Sequence, residues 1–185
     1  MKLIVVLLLA TSVICAQNAP DAAHARGPRQ SSAVSPVAKV FASALSEVKT
    51  KSRLDVLLPG KLPKAVTGAK YATVQTASPN AYAIDLYYEL GIGDAGFAAS
   101  FSGEAHPDYS PADFGNVRKV RLSDGLIGYF RPVSCGGSCA PANLWWAQTG
   151  VLYQIQLVLS PALPEADQRK AIIEAANSAI IAGAR

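Results

Sequence analysis

Leu144-Trp145-Trp146-Ala147-Gln148-Thr149-Gly150-Val151-Leu152-Tyr153-Gln154-Ile155-Gln156-Leu157-Val158-Leu159 reads as a β-hairpin turning at Thr149-Gly150. Counting outward from those two residues sets Trp146 opposite Tyr153 and Trp145 opposite Gln154. Successive strand residues point to opposite faces. Val151, Tyr153, Ile155, Leu157 and Leu159 therefore form an inner face, while Gln154 and Gln156 point outward. One apolar and one polar face is the pattern of an antiparallel sheet packed on one side.

The same pattern extends upstream. Val117 to Leu122 and Leu126 to Phe130 flank Asp124-Gly125, a strong hairpin signal because a two-residue type I′ turn needs positive φ. That turn predicts Leu122 facing Ile127 and Val120 facing Tyr129, with Lys119 and Arg121 on the other face. Tyr71 to Ala77 and Tyr82 to Leu90 read as strands around Ser78-Pro79-Asn80, and Phe97 to Gly103 as a third. Leu54 to Leu58 reads as a short strand or extended segment stopped by Pro59-Gly60. Ser35-Pro36 opens a helix with Val37, Val40, Phe41, Ala44, Leu45 and Val48 on one face, ending near Lys51. A second helix is predicted over 164–182, striped by Ile172, Ala176, Ala179 and Ile180. Strands without alternating helices imply an α+β domain over 36–185: an antiparallel sheet of about five to seven strands with an N-terminal and a C-terminal helix packed on it.

The start of the chain carries a different signal. Lys2, the apolar run from Leu3 to Ala10 and the small Ala16 read as a secretory signal peptide over 1–16. The run is shorter than the roughly 20 residues of a spanning helix. Residues 17–35 are rich in Ala, Pro, Ser, Gln and Arg without periodicity and read as a disordered linker. We therefore expect a secreted or periplasmic protein. Cys15 leaves with the leader if cleavage follows Ala16. A lipoprotein signal also ends at a cysteine, but Ile14 precedes Cys15 where a small residue is expected. Lipidation there is the one route we see to a membrane.

In an oxidising compartment Cys135 and Cys139, in Cys135-Gly136-Gly137-Ser138-Cys139, are expected to pair. A zinc site would want four ligands, and the thioredoxin-type motif has two spacers, not three. The loop is so short that the bond mainly fixes local shape.

Several of these pieces together resemble an uncharacterised group of secreted bacterial domains over residues 54–185. They are Val56-Leu57-Leu58-Pro59, Gly125-Leu126-Ile127-Gly128-Tyr129-Phe130 leading to the cysteine loop, Trp146 through Tyr153, and Ala176-Asn177-Ser178-Ala179-Ile180. The resemblance implies the fold and export, and no activity. Related chains often carry a second cysteine pair near the third strand; Gly91 to Gly103 has no cysteine here.

The catalytic motifs do not hold together. Gly91-Ile92-Gly93-Asp94-Ala95-Gly96 matches G-x-G-x-x-G, but a dinucleotide site needs a helix to follow, and Phe97 to Gly103 alternates like a strand. Glu104, His106, Asp108 and Asp113 share a polar loop with two prolines. They are the basis of an alternative reading as a hydrolase or metal-dependent enzyme, to be decided by whether they converge. Arg118, Lys119, Arg121 and Arg131 form a basic patch suited to anionic envelope material, or a charged edge that resists aggregation. The formal net charge of +4 points to no nucleic acid. If Trp146 is core, Trp145 leaves that core. Either a terminal helix covers it, or it lies exposed beside Gln154 and Gln156, where it suits a glycan or a protein partner. The expected candidate surface is Trp145, Gln154, Gln156, Lys119 and Arg121. We expect no cofactor and no catalytic or metal site, and read the chain as a non-catalytic binding or envelope-accessory domain, its partner an envelope component or another protein.

Overall fold

The computed structural model describes residues 37–91 and 93–185. The leader, the linker, Cys15 and the Ser35-Pro36 cap lie outside the described residues. The strands are β1 (Tyr71–Ser78), β2 (Ala81–Tyr87), β3 (Phe97–Ala105), β4 (Arg118–Arg121), β5 (Ile127–Arg131), β6 (Ser134–Cys135), β7 (Cys139–Ala140), β8 (Ala142–Gln148) and β9 (Val151–Leu157). Seven of them form one antiparallel sheet in the order β1-β2-β3-β9-β8-β5-β4, and β6 and β7 form a separate two-stranded ribbon. The sheet is two meanders, β1-β2-β3 and β4-β5-β8-β9, joined by a single seam between β3 and β9. The helices are α1 (Ala42–Lys51), preceded by a 3-10 turn over Lys39–Phe41, and α2 (Glu165–Ala182). The α+β class with one antiparallel sheet is as expected.

The hairpin register counted from Thr149-Gly150 is the observed one: Trp146 pairs with Tyr153 and Trp145 with Gln154. Both turn residues have positive φ, 51° at Thr149 and 79° at Gly150. A β-branched residue is strained in that region. Thr149→Asn, which tolerates it far better, is expected to raise stability by about 1 kcal/mol. A denaturant midpoint that falls instead would show that the Thr149 side-chain hydrogen bond with Tyr153 outweighs the strain.

The Asp124-Gly125 hairpin differs from its expected register. The pairs are Val120 with Gly128 and Arg121 with Ile127, one residue away from a two-residue turn. The loop has three residues, Ser123, Asp124 (φ 57°) and Gly125 (φ 73°), closed by Leu122 N–H donating to Leu126 O at 2.9 Å. A one-residue slip flips every side chain. Gly128 and Phe130 therefore face the core, and Ile127 is 47 % exposed. Packing rules out the other register: Val120, Leu122 and Leu144 crowd the space a Gly128 side chain would take.

The inner face carries Ile84, Leu86, Phe101, Leu144, Tyr153, Ile155 and Trp146, all buried. α2 lies against β8 and β9 through Ile172, Ala176, Ala179 and Ile180, as the stripe predicts. Phe41 meets Phe101 edge-on at 5.2 Å. Residues 54–58 form no strand and pair with none. Two core tyrosines pin them: Tyr82 Oη accepts from Leu57 N–H at 3.0 Å, and Tyr153 Oη donates to Asp55 O at 2.9 Å. Polar contacts from α2 fix the β4–β5 end. Asn177 accepts from Ser123 N–H at 2.7 Å, and Glu165 pairs with Arg118 at 2.8 Å. Buried Gln168 accepts from Val133 N–H at 2.9 Å, where the chain enters the ribbon.

Candidate functional site

The outer face of the sheet is built by the alternate residues of the same strands. One row across it runs Thr73, Asp85, Ser100, Gln156, Asn143 and Arg131. Beside it a β-bulge alters the pattern. Leu86 pairs with Ala99 but Tyr87 pairs with Phe97, so Ala98 is the extra residue. Bulges re-aim side chains. This one turns Phe97 out of the core parity of β3 and onto the face of Tyr87, where the rings meet edge-on at 5.8 Å.

Asp85, Tyr87, Phe97 and Gln156 then line a cavity of about 440 Å³. Pro141 and Val158 close another side, and Cys139 and Ala140 of the ribbon form its rim. The ribbon is held by the Cys135–Cys139 disulfide, which joins directly opposed residues 4.0 Å apart at Cα. The expected pairing is present, and its place is beside the cavity.

Asp85 is half-buried, and burial raises its pKa above the ordinary carboxylate value, against hydrogen bonds from Ser100 and Tyr87 that pull it down. Tyr87 Oη donates to Asp85 Oδ2 at 3.4 Å. A raised folded-state pKa means that the folded protein holds the proton more tightly than the unfolded chain. The associated stability is fully present below the ordinary aspartate pKa and is lost as pH rises through the folded value. At neutral pH the ionised carboxylate thus weakens the fold. Asp85→Asn is expected to raise the thermal midpoint at pH 7, with the gain shrinking as pH falls through the raised folded value and gone below the ordinary aspartate pKa. A variant less stable than wild type at pH 7 would refute this sign.

Of the expected surface, Trp145, Gln154 and Gln156 share the outer face, with Trp145 directly opposite Gln154, while Lys119 and Arg121 lie apart on β4. Gln156 lines the cavity. Gln154 donates to Asn143 Oδ1 at 2.7 Å and borders a second cavity of about 290 Å³ with Glu104 and Tyr109. Trp145 is on the outer face, as its pairing requires, but is only 3 % exposed. Neither helix covers it. The Phe114 ring lies 5.0 Å away and the Arg131 guanidinium stands over it at 5.1 Å, so the loop after β3 folds back as its roof. Trp145 is therefore not an open binding residue, because the indole gains by burying its apolar surface against the Phe114 ring that the loop presents. Lys119 and Arg121 are exposed on β4, the far edge strand, remote from the cavity. The other two members of the basic patch are engaged, Arg118 with Glu165 and Arg131 with Trp145 and Phe114. Those two arginines flank a trough of about 660 Å³ near Asn116, which accordingly offers no unengaged cation.

Glu104, His106, Asp108 and Asp113 are all exposed and do not converge. Glu104 accepts from Tyr109 Oη at 3.2 Å, and Asp113 accepts from Ser110 N–H at 3.3 Å in a local capping box. Among the described residues no group of three or more His, Cys, Asp or Glu could hold a metal ion, and no helix is long and apolar enough to cross a membrane. Gly93–Gly96 is a 3-10 turn that leads into β3 rather than into a helix.

Sequence reasoning missed Asp85, Tyr87 and Phe97 as a site. The alternation of Tyr82 to Leu90 already sets Asp85 and Tyr87 on one outward face; no pattern signals the bulge at Ala98 that brings Phe97 to them. No family model, curated protein or solved structure matches the chain.

Proposed function

We propose that the chain is an exported, non-catalytic binding domain, and that the outer-face cavity at Asp85, Tyr87, Phe97 and Gln156 holds its ligand. One observation carries the reading: a concave site gathers two aromatic rings, an amide and a half-buried carboxylate beneath a disulfide-held ribbon. Ligand sites of this kind combine apolar walls with a few placed polar groups. A carboxylate kept in a cavity at a cost to the fold is a further mark of function. The leader-like first 16 residues and the disulfide support export. The loop that prompted the enzyme alternative supports it less, since Glu104, His106, Asp108 and Asp113 are exposed and form no group that could hold a metal among the described residues.

The test is an amide NMR titration of the labelled protein with the low-molecular-weight fraction of medium from the source cells. Shifts are expected to cluster at Asp85, Tyr87, Phe97 and Gln156. Shifts centred on Lys119 and Arg121, or chemical turnover of a component of the fraction, would count against the proposal.

A further inference from the structure

We infer that the cavity takes a cation: Asp85 is the counter-ion for a protonated primary amine, and the Tyr87 and Phe97 rings pack the apolar stem that carries it. The inference deepens the binding reading above and rests on it. Three observations lead to it.

First, Asp85 is the only charged group lining the cavity among the described residues; the rest of the wall is uncharged. The chain as a whole is positive, at +4, so the cavity is a negative spot in a positive protein and attracts cations locally. Second, Asp85 has no cation of its own. The ion pairs among the described residues are Lys51 with Glu47 and Arg118 with Glu165, and Asp85 belongs to neither. Its partners are the hydroxyls of Tyr87 and Ser100, which leave carboxylate lone pairs for a ligand. Third, the bulge at Ala98 adds a second ring to the wall. Aromatic faces attract ammonium groups and pack aliphatic carbon. Val158, 42 % exposed at the cavity wall, adds apolar surface for the stem. A neutral ligand would satisfy the rings and the amide but would leave the half-buried negative charge without a counter-ion.

The shared chemistry is an ammonium group next to an apolar face, supplied either by an alkylamine or by an amino sugar. Four probes separate these cases by NMR: cadaverine and glucosamine against their neutral counterparts 1,5-pentanediol and glucose. At least one amine is expected to shift the amides of Asp85, Tyr87, Phe97 and Gln156, and whichever does so identifies the source. The neutral counterparts are expected to leave them in place. Asp85→Asn is expected to weaken amine binding by about tenfold or more. Its thermal midpoint should be no lower than that of wild type, so that lost binding is not lost folding. Neutral probes that shift the same amides as strongly as the amines would overturn the cation assignment while leaving the cavity as a ligand site. So would amine binding that survives Asp85→Asn. Silence of both amines also overturns it, and the binding reading then stands or falls on the extract titration alone.

Discussion

Trp146→Ala is expected to lower stability by about 3–5 kcal/mol, the range for emptying a buried aromatic site. Trp146 is 1 % exposed on the helix-covered face and stacks on Tyr153 with centroids 5.4 Å apart. Its indole Nε1 is buried without a hydrogen-bond partner in the structure. A buried unpaired donor is itself costly, so Trp146→Phe is expected to lose much less than Trp146→Ala. Trp145→Ala makes a sharp comparison because it sits next door on the opposite face. It removes contacts with Phe114 and Arg131, and is expected to loosen loop 106–116 at a smaller cost. Denaturant midpoints for the three variants decide the matter. A larger loss at Trp145 than at Trp146 would mean that the Phe114 and Arg131 roof over Trp145 stabilises the fold more than the helix-covered packing of Trp146.

Gly103→Ala is expected to destabilise by about 1–3 kcal/mol, as overpacking does, although alanine in place of glycine ordinarily helps a strand. Gly103 pairs with Tyr82 on one side and Tyr153 on the other, and both rings lean over it. A Cβ there would come within 2.6 Å of Tyr82 Cε1 and 3.2 Å of Tyr153 Cδ1 and Cε1. Neither ring is free to swing aside. Tyr82 Oη also donates to Leu57 O at 3.3 Å in addition to accepting from Leu57 N–H, and Tyr153 is tied to Asp55. Burial raises the pKa of the Tyr82 phenol and pushes that of Tyr153 up to about 12, so both stay protonated at neutral pH and keep donating. The measurement is again a denaturant midpoint, and an unchanged or higher value would show that the tyrosines yield.

The pattern of apolar and polar residues reveals most of the sheet because pairing register is a local property. The Thr149-Gly150 hairpin follows from counting. The Asp124-Gly125 hairpin does not, because the dipeptide also suits a three-residue loop, and the choice between them is made by Gly128 packing under Val120, Leu122 and Leu144. Residues 54–58 look like a strand because they are mostly apolar and end at Pro59-Gly60, yet tyrosine hydroxyls from β2 and β9 take the place of a neighbouring strand. The disulfide was legible from the leader-like start, which implies an oxidising compartment, and from two cysteines with no further metal ligands beside them. The cavity was not, since it needs β2, β3 and β9 side by side and one extra residue at Ala98. Trp145 shows the limit most plainly: parity gives its face correctly, but only the tertiary path of loop 106–116 shows what lies over it.

The seam between β3 and β9 has a kinetic consequence. Within each meander the strands are hairpin neighbours or nearly so, and their pairing closes small loops. The β3–β9 ladder, Ala99 with Leu157 through Ala105 with Val151, joins segments far apart in the chain. Non-local pairing of this kind is slow to form, so the two meanders are poised to assemble separately and to zip together last. The cavity straddles that zip, with Asp85, Tyr87 and Phe97 on one meander and Gln156 on the other. An occupant of the proposed site would therefore act as a rivet: binding the closed form alone, it would add to its stability by mass action. If the domain is exported, as proposed, the bound form would outlive the empty one where proteases cleave whatever opens.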